Sequence, residues 1–213
     1  PDSAFLVTSP SISLTLMSSQ LSVVADGSAL NNLVLINGPF HMVDSFVHAN
    51  VSSASVQSFG FLLSAPSTFE NSDIEIEIDC QAGSCTNMAV ADSTGSGDVA
   101  VTSTITGPCP GGFCLGFQSF ASSTNITGAT SDFNLAVTAS VPYCPNCFGT
   151  IFGLTVTLSN ITNLSITGNG TTGIDLGGAI INAENIQLVG SSPVVVTDVV
   201  STAGYGVDLG NAE

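Results

Sequence analysis

Ile74-Glu75-Ile76-Glu77-Ile78 is the stretch of this chain that reads most plainly. In an extended backbone successive side chains point to opposite faces. Three isoleucines therefore share one face and two glutamates the other, the pattern of a half-buried strand. Similar short runs lie at 33–36, 42–47, 56–63, 99–105, 133–141, 150–158, 186–189 and 194–200; in 150–158 threonines interleave with valine, leucine and isoleucine. Gly, Pro, Ser, Asn and Asp divide them. No window carries the i, i+3, i+4, i+7 apolar pattern of an amphipathic helix. Short alternating strands at this spacing predict an all-β fold, an antiparallel β-sandwich or barrel.

The 213 residues suit one large β domain or two small ones and can bury a core without metal or cofactor. No window approaches eighteen uninterrupted apolar residues, so no membrane-spanning helix is expected. No leader pattern follows position 1, which reads as a mature N-terminus. Two echoes occur: Gly173-Ile174-Asp175-Leu176-Gly177 returns as Gly206-Val207-Asp208-Leu209-Gly210, and Ile126-Thr127-Gly128 returns as Ile166-Thr167-Gly168. A parallel β-helix or two similar hairpins would produce them. Because the period does not continue through the N-terminal half, a full solenoid is not expected. Ser11-Ile12-Ser13-Leu14-Thr15-Leu16 alternates strictly, and Asp26-Gly27-Ser28 reads as a turn or hinge; such a strand either adds to its own sheet or is donated into the groove of a neighbouring subunit. The expected organisation is an extended N-terminal strand, 1–25, and a β-sandwich body, 26–213, Ig-like or pilin-like.

Charge is the most unusual feature: 16 acidic residues, two histidines and no Lys or Arg. Phosphate neutralisation needs Lys and Arg, so nucleic acid is excluded as a partner, and anionic membrane surfaces with it. The acidic content is too sparse for a halophile's carboxylate surface. Resistance to trypsin-like proteases is one reading. Acid tolerance is the favoured one: unperturbed Asp and Glu titrate near about 3.9 and 4.3, so in stronger acid this chain carries almost no net charge and repels itself little.

Six cysteines form three local pairs, Cys80 with Cys85, Cys109 with Cys114 and Cys144 with Cys147, each around a turn-like interior. Disulfide-closed turns are the expectation, which points outside the cell. A metal knuckle or a redox CxxC is the alternative, but only Cys144-Pro-Asn-Cys147 has the spacing and no βαβ pattern surrounds it. Five Asn-x-Ser/Thr sequons, at Asn50, Asn125, Asn160, Asn163 and Asn169, predict N-glycosylated surface loops; polar turn residues are the simpler alternative.

Catalytic patterns are missing. No lysine can form a Schiff base, no arginine can clamp an anion, and no G-x-S-x-G elbow surrounds a serine. His41 and His48, seven apart, are expected on opposite faces of a strand, which suits neither a dyad nor a metal site. Glu75 and Glu77 share a face as a glycosidase pair would, but a solvated strand face explains them as well. The glycine run at 173–178 lacks the strand–GxGxxG–helix context of a nucleotide site. A calcium site among loop Asp and Asn residues is the remaining metal option. The expectation is a non-enzyme without cofactors.

An alternating N-terminal strand before a Ser/Thr/Val-rich β body resembles donor-strand-complemented pilus subunits. The sequons and the acid tolerance make it similar to thread-type filament subunits of thermoacidophilic archaea. The long apolar helix of archaeal type IV pilins is absent. The resemblance implies a secreted, extracellular homopolymer assembled head to tail, in which Ile12, Leu14 and Leu16 fill a groove of the next subunit. Alternatives are a surface adhesin or glycan-binding module that contacts other cells, disfavoured because the chain has no Trp and only Tyr143 and Tyr205, and a β-helical surface or viral fibre.

Overall fold

A computed structural model describes residues 3–7, 9–26, 32–52, 58–81, 84–119, 124–141, 146–151, 156–176, 180–190, 194–195 and 207–210. Their regular structure is entirely strand. The first strands in chain order are β1 (Ser3–Val7), β2 (Leu14–Met17), β3 (Gln20–Asp26), β4 (Asn32–Ile36), β5 (Phe40–Val43), β6 (Phe46–Ser52), β7 (Ser58–Leu63), β8 (Ser67–Asp79) and β9 (Cys85–Val90). There follow β10 (Ser93–Thr106), β11 (Phe113–Ser119), β12 (Thr124–Gly128), β13 (Asn134–Ser140), β14 (Asn146–Ile151) and β15 (Val156–Asn169). The last are β16 (Thr172–Asp175), β17 (Ile180–Gly190), β18 (Val194–Val195) and β19 (Val207–Gly210).

Every pairing among them is parallel. One sheet runs β1-β4-β7-β9-β11-β14-β16-β18, and the other runs from β19 through β17, β15, β12, β10, β8 and β5 to β2, with β3, β6 and β13 alongside. The chain passes from the first sheet to the second and back, rising one strand each time. The fold is a parallel β-solenoid. The predicted antiparallel sandwich is therefore wrong, and so is the expectation against a full solenoid. β12 and β13 lie end to end between β10 and β15, β12 pairing with the first part of each and β13 with the second.

The error has a physical source. Parallel sheets usually bury both faces and read as continuous apolar runs, whereas one-sided alternation belongs to antiparallel sheets. A solenoid breaks that association, because its parallel strands turn one face inward and the other to water. In β8 the burial alternates strictly from Ser72 to Ile78. Ile74 stacks in register between Val47 and Val101, and the column continues through Val137, Ile166 and Leu188, all buried. Each such side chain is worth about 1.5–3 kcal/mol relative to exposure. Phe40, Phe61 and Phe69 fill the adjoining interior, with ring centroids 6.1 and 6.2 Å from Phe40.

The second sheet bends at one corner, where Ser18, Asp44, Asn71 and Gly97 in four successive coils, and Asn160 two coils further on, have positive φ. Asn, Asp and Gly tolerate this left-handed conformation better than other residues. At Gly97 a Cβ would also run into the Asn71 side chain. The corner resets side-chain parity. His41 in β5 and His48 in β6 therefore both lie half-buried on the outer side of the sheet, not on opposite faces as alternation predicted.

The N-terminal segment is not set apart. β1 pairs with β4, β2 with β5 and β3 with β6, so these three strands form the first coil of the solenoid. Leu14 and Leu16 are half-buried against their own core, while Ile12 is 57% exposed. In the single chain this strand adds to its own sheet, the first of the two uses expected of it.

Candidate functional site

Successive coils bring the cysteines together. Cys85 in β9, Cys114 in β11 and Cys147 in β14 are direct register partners on neighbouring strands. Cys80 is bonded to Cys85 and Cys109 to Cys114, each across a sequence separation of 5. Cys147 is also disulfide-bonded, and Cys144 lies outside the described residues. Cys80, Cys85, Cys109, Cys114 and Cys147 are all essentially buried. The Sγ atoms of Cys80 and Cys114 approach to 4.0 Å, and Cys80, Cys109 and Cys114 offer sulfurs within 4.8 Å of one another. The backbone N–H of Cys109 also donates to the Cys80 carbonyl at 3.2 Å. The result is a column of sulfur running along the solenoid.

A polar ladder follows the corner column. Asn134 Nδ2 donates to Asp98 Oδ1 at 2.7 Å, Asn163 Nδ2 to Asn134 Oδ1 at 2.6 Å, and Asn185 Nδ2 to Asn163 Oδ1 at 2.8 Å. Asn71 continues it toward the N-terminus, donating to Asp44 Oδ1 at 3.3 Å and accepting from the Asp98 backbone N–H at 3.3 Å. Such a chain satisfies each amide with the coil before it. Deeper inside, Asn87 on β9 donates to the carbonyls of Ile76 and Thr104 at 2.9 and 3.1 Å, linking the two sheets. Its Oδ1 and the Thr150 hydroxyl have no hydrogen-bond partner.

The sequence candidates scatter around this frame. Glu75 and Glu77 do share the outer face of β8, but each is engaged by the coil below: His48 Nδ1 lies 3.3 Å from Glu75 Oε2, and Asn50 Nδ2 donates to Glu77 Oε2 at 3.1 Å. His41 is hydrogen-bonded to the Thr68 hydroxyl. The two histidines thus serve separate cross-strand pairs. Of the sequons, Asn125, Asn160, Asn163 and Asn169 are exposed and Asn50 is half-buried. Asn160 Nδ2 donates to the Gly128 carbonyl at 2.7 Å and Asn163 is a rung of the ladder. Tyr143 and Tyr205 lie outside the described residues. No helix among the described residues is long and apolar enough to cross a membrane.

What sequence reasoning missed is the vertical register. Asp44-Ser45 and Asn71-Ser72 are 27 apart, as are the partners in the His48–Glu75 and Asn50–Glu77 pairs. Cys85, Cys114 and Cys147 repeat at a similar interval. The Gly173 echo misled instead: it relates β16 of one sheet to β19 of the other, and neither is the other's register partner. Comparison with protein families, with characterised proteins and with solved structures finds no match to this chain.

Proposed function

We propose that the chain is a structural module of an extracellular surface or fibre, a disulfide-braced β-helical rod. The observation that supports this most is the sulfur column, in which neighbouring coils each carry a bridge and the bridges pack against one another. Disulfides persist in oxidising compartments, so they favour a location outside the cytoplasm. The exposed sequon at Asn169 would carry a glycan on the rod's flank.

Assembly by strand donation would have to strip β2 from β5 and Leu14 and Leu16 from their core. End-to-end stacking of copies asks for nothing to be removed. In it, β2 and β3, which edge the second sheet, would be extended by strands of a second copy. The test is immunoelectron microscopy of intact source cells with an antibody raised against the folded chain. Label along surface structures or fibres supports the reading; label confined to the cell interior overturns it.

A further inference from the structure

Where the chain turns from the first sheet into the second, the residues flanking one buried position near the start of each second-sheet strand point outward. Phe40, Ser67, Ser93 and Ile126 are that buried position in four successive coils and are direct register partners. The residues just before them, Pro39, Pro66, Asp92 and Asn125, form one rail. The residues just after them, His41, Thr68, Thr94 and Thr127, form another. Between the rails runs a cleft of about 350 Å³ that these residues line together with Ser67 and Ser93. Neighbouring strands are about 4.8 Å apart, so the cleft repeats its chemistry along the solenoid axis at that interval for about 14 Å.

The rails are partly tied. Asp92 Oδ1 accepts from the Asn125 backbone N–H at 2.7 Å, His41 bonds the Thr68 hydroxyl, and Thr127 bonds Ser159 at 3.0 Å beyond the cleft. Thr94, exposed in the middle, makes no side-chain hydrogen bond to another described residue. Lining groups select the ligand class. With no Lys or Arg anywhere and a carboxylate in the cleft, an anion would be repelled. A hydrocarbon chain would strip water from hydroxyls, an amide and a carboxylate without replacing their hydrogen bonds. A sugar ring has what the cleft offers partners for: hydroxyls that both donate and accept, and a C–H face that can lie on Pro39 and Pro66. Repetition along the axis favours a linear chain of such rings.

We propose that this cleft binds a neutral, linear oligosaccharide lying along the solenoid axis. The site stands independently of the rod reading, since a surface or an intracellular protein could carry it equally. The experiment is an NMR titration of the oxidised full chain with cellohexaose, mannohexaose and chitohexaose, with a galacturonate hexamer as the anionic comparison. Binding is expected for at least one neutral probe at millimolar concentration or below, with amide shifts centred on Ser67–Thr68, Ser93–Thr94 and Asn125–Thr127. Thr94→Tyr, which fills the cleft from an exposed position, and Asp92→Ala should each weaken that binding at least ten-fold. Thr138→Tyr, exposed on a different part of the sheet, should not. The proposal is overturned if no neutral probe shifts these amides, if the galacturonate hexamer binds as well, or if both cleft variants bind as the unmodified chain does.

Discussion

Replacing both Cys109 and Cys114 by alanine removes one rung of the sulfur column and tests whether the column braces the fold. A single replacement would be ambiguous: it leaves a thiol in a cluster where Cys114 Sγ lies 4.0 Å from Cys80 Sγ, poised for exchange with the remaining bridge. The double variant avoids this. For a bridge closing so short a loop, the chain-entropy contribution is about 2 kcal/mol. Both residues are buried, at 1% and 0% exposure, so two sulfurs also leave a packed interior, at about 1 kcal/mol each. The sum is a loss of about 4 kcal/mol, a large fraction of a typical domain's stability. Urea unfolding under non-reducing conditions measures it, with the slope checked for two-state behaviour. A loss below about 1 kcal/mol at unchanged slope would refute the bracing role, because neither the constraint on the unfolded chain nor the packing of the folded one would then be contributing.

Thr150→Val should raise stability by about 1 kcal/mol, since it deletes a buried hydroxyl with no partner at nearly constant shape; thermal unfolding reads the shift. Gly116→Ala should lower stability by about 1–3 kcal/mol, because the new Cβ would stand 2.6 Å from the Gly149 carbonyl oxygen and 2.8 Å from the Ala139 Cβ; a neutral result in the same urea assay would contradict the close approach of the two sheets there. In acid the fold should persist: the one ion pair among the described residues is His48–Glu75 on the surface, worth about 0–1 kcal/mol, so the melting temperature at about pH 2 should lie within about 5 °C of its value at pH 7. Circular dichroism at both pH values decides it, and collapse in acid would contradict the charge argument.

The strands themselves were legible because alternation is a local property. Ile74 to Ile78 shows it within five residues, and the structure buries those isoleucines as the pattern requires. Strand direction was not legible, since alternation reports only that one face is wet and not how the neighbouring strand runs. The solenoid period was present but weak. Its carriers are single polar residues at corners, such as Asp44, Asn71 and Asp98, whose role depends on a left-handed backbone or a ladder bond that no propensity scale records. The cysteine spacing held a looser repeat, yet reading each pair as an isolated loop concealed that Cys85, Cys114 and Cys147 stack. His41 and His48 were misplaced for the same reason as the corner was missed: one positive-φ residue between them reverses the parity. The cleft rails are made of common surface residues whose alignment exists only once the coils are stacked in register.

Methyl–methyl NOE spectroscopy on the isoleucine and valine side chains tests the parallel solenoid most directly. In register, Ile74 faces Val101 and Ile78 faces Ile105, with Val47 on the other side of Ile74. Strand neighbours about 4.8 Å apart give strong cross-peaks. The fold predicts peaks for Ile74–Val101, Ile78–Ile105 and Ile74–Val47, and a continuing chain through Val137 and Ile166. An antiparallel arrangement of the same two strands would instead pair Ile74 with Ile105 and Ile78 with Val101, and that result would contradict the account.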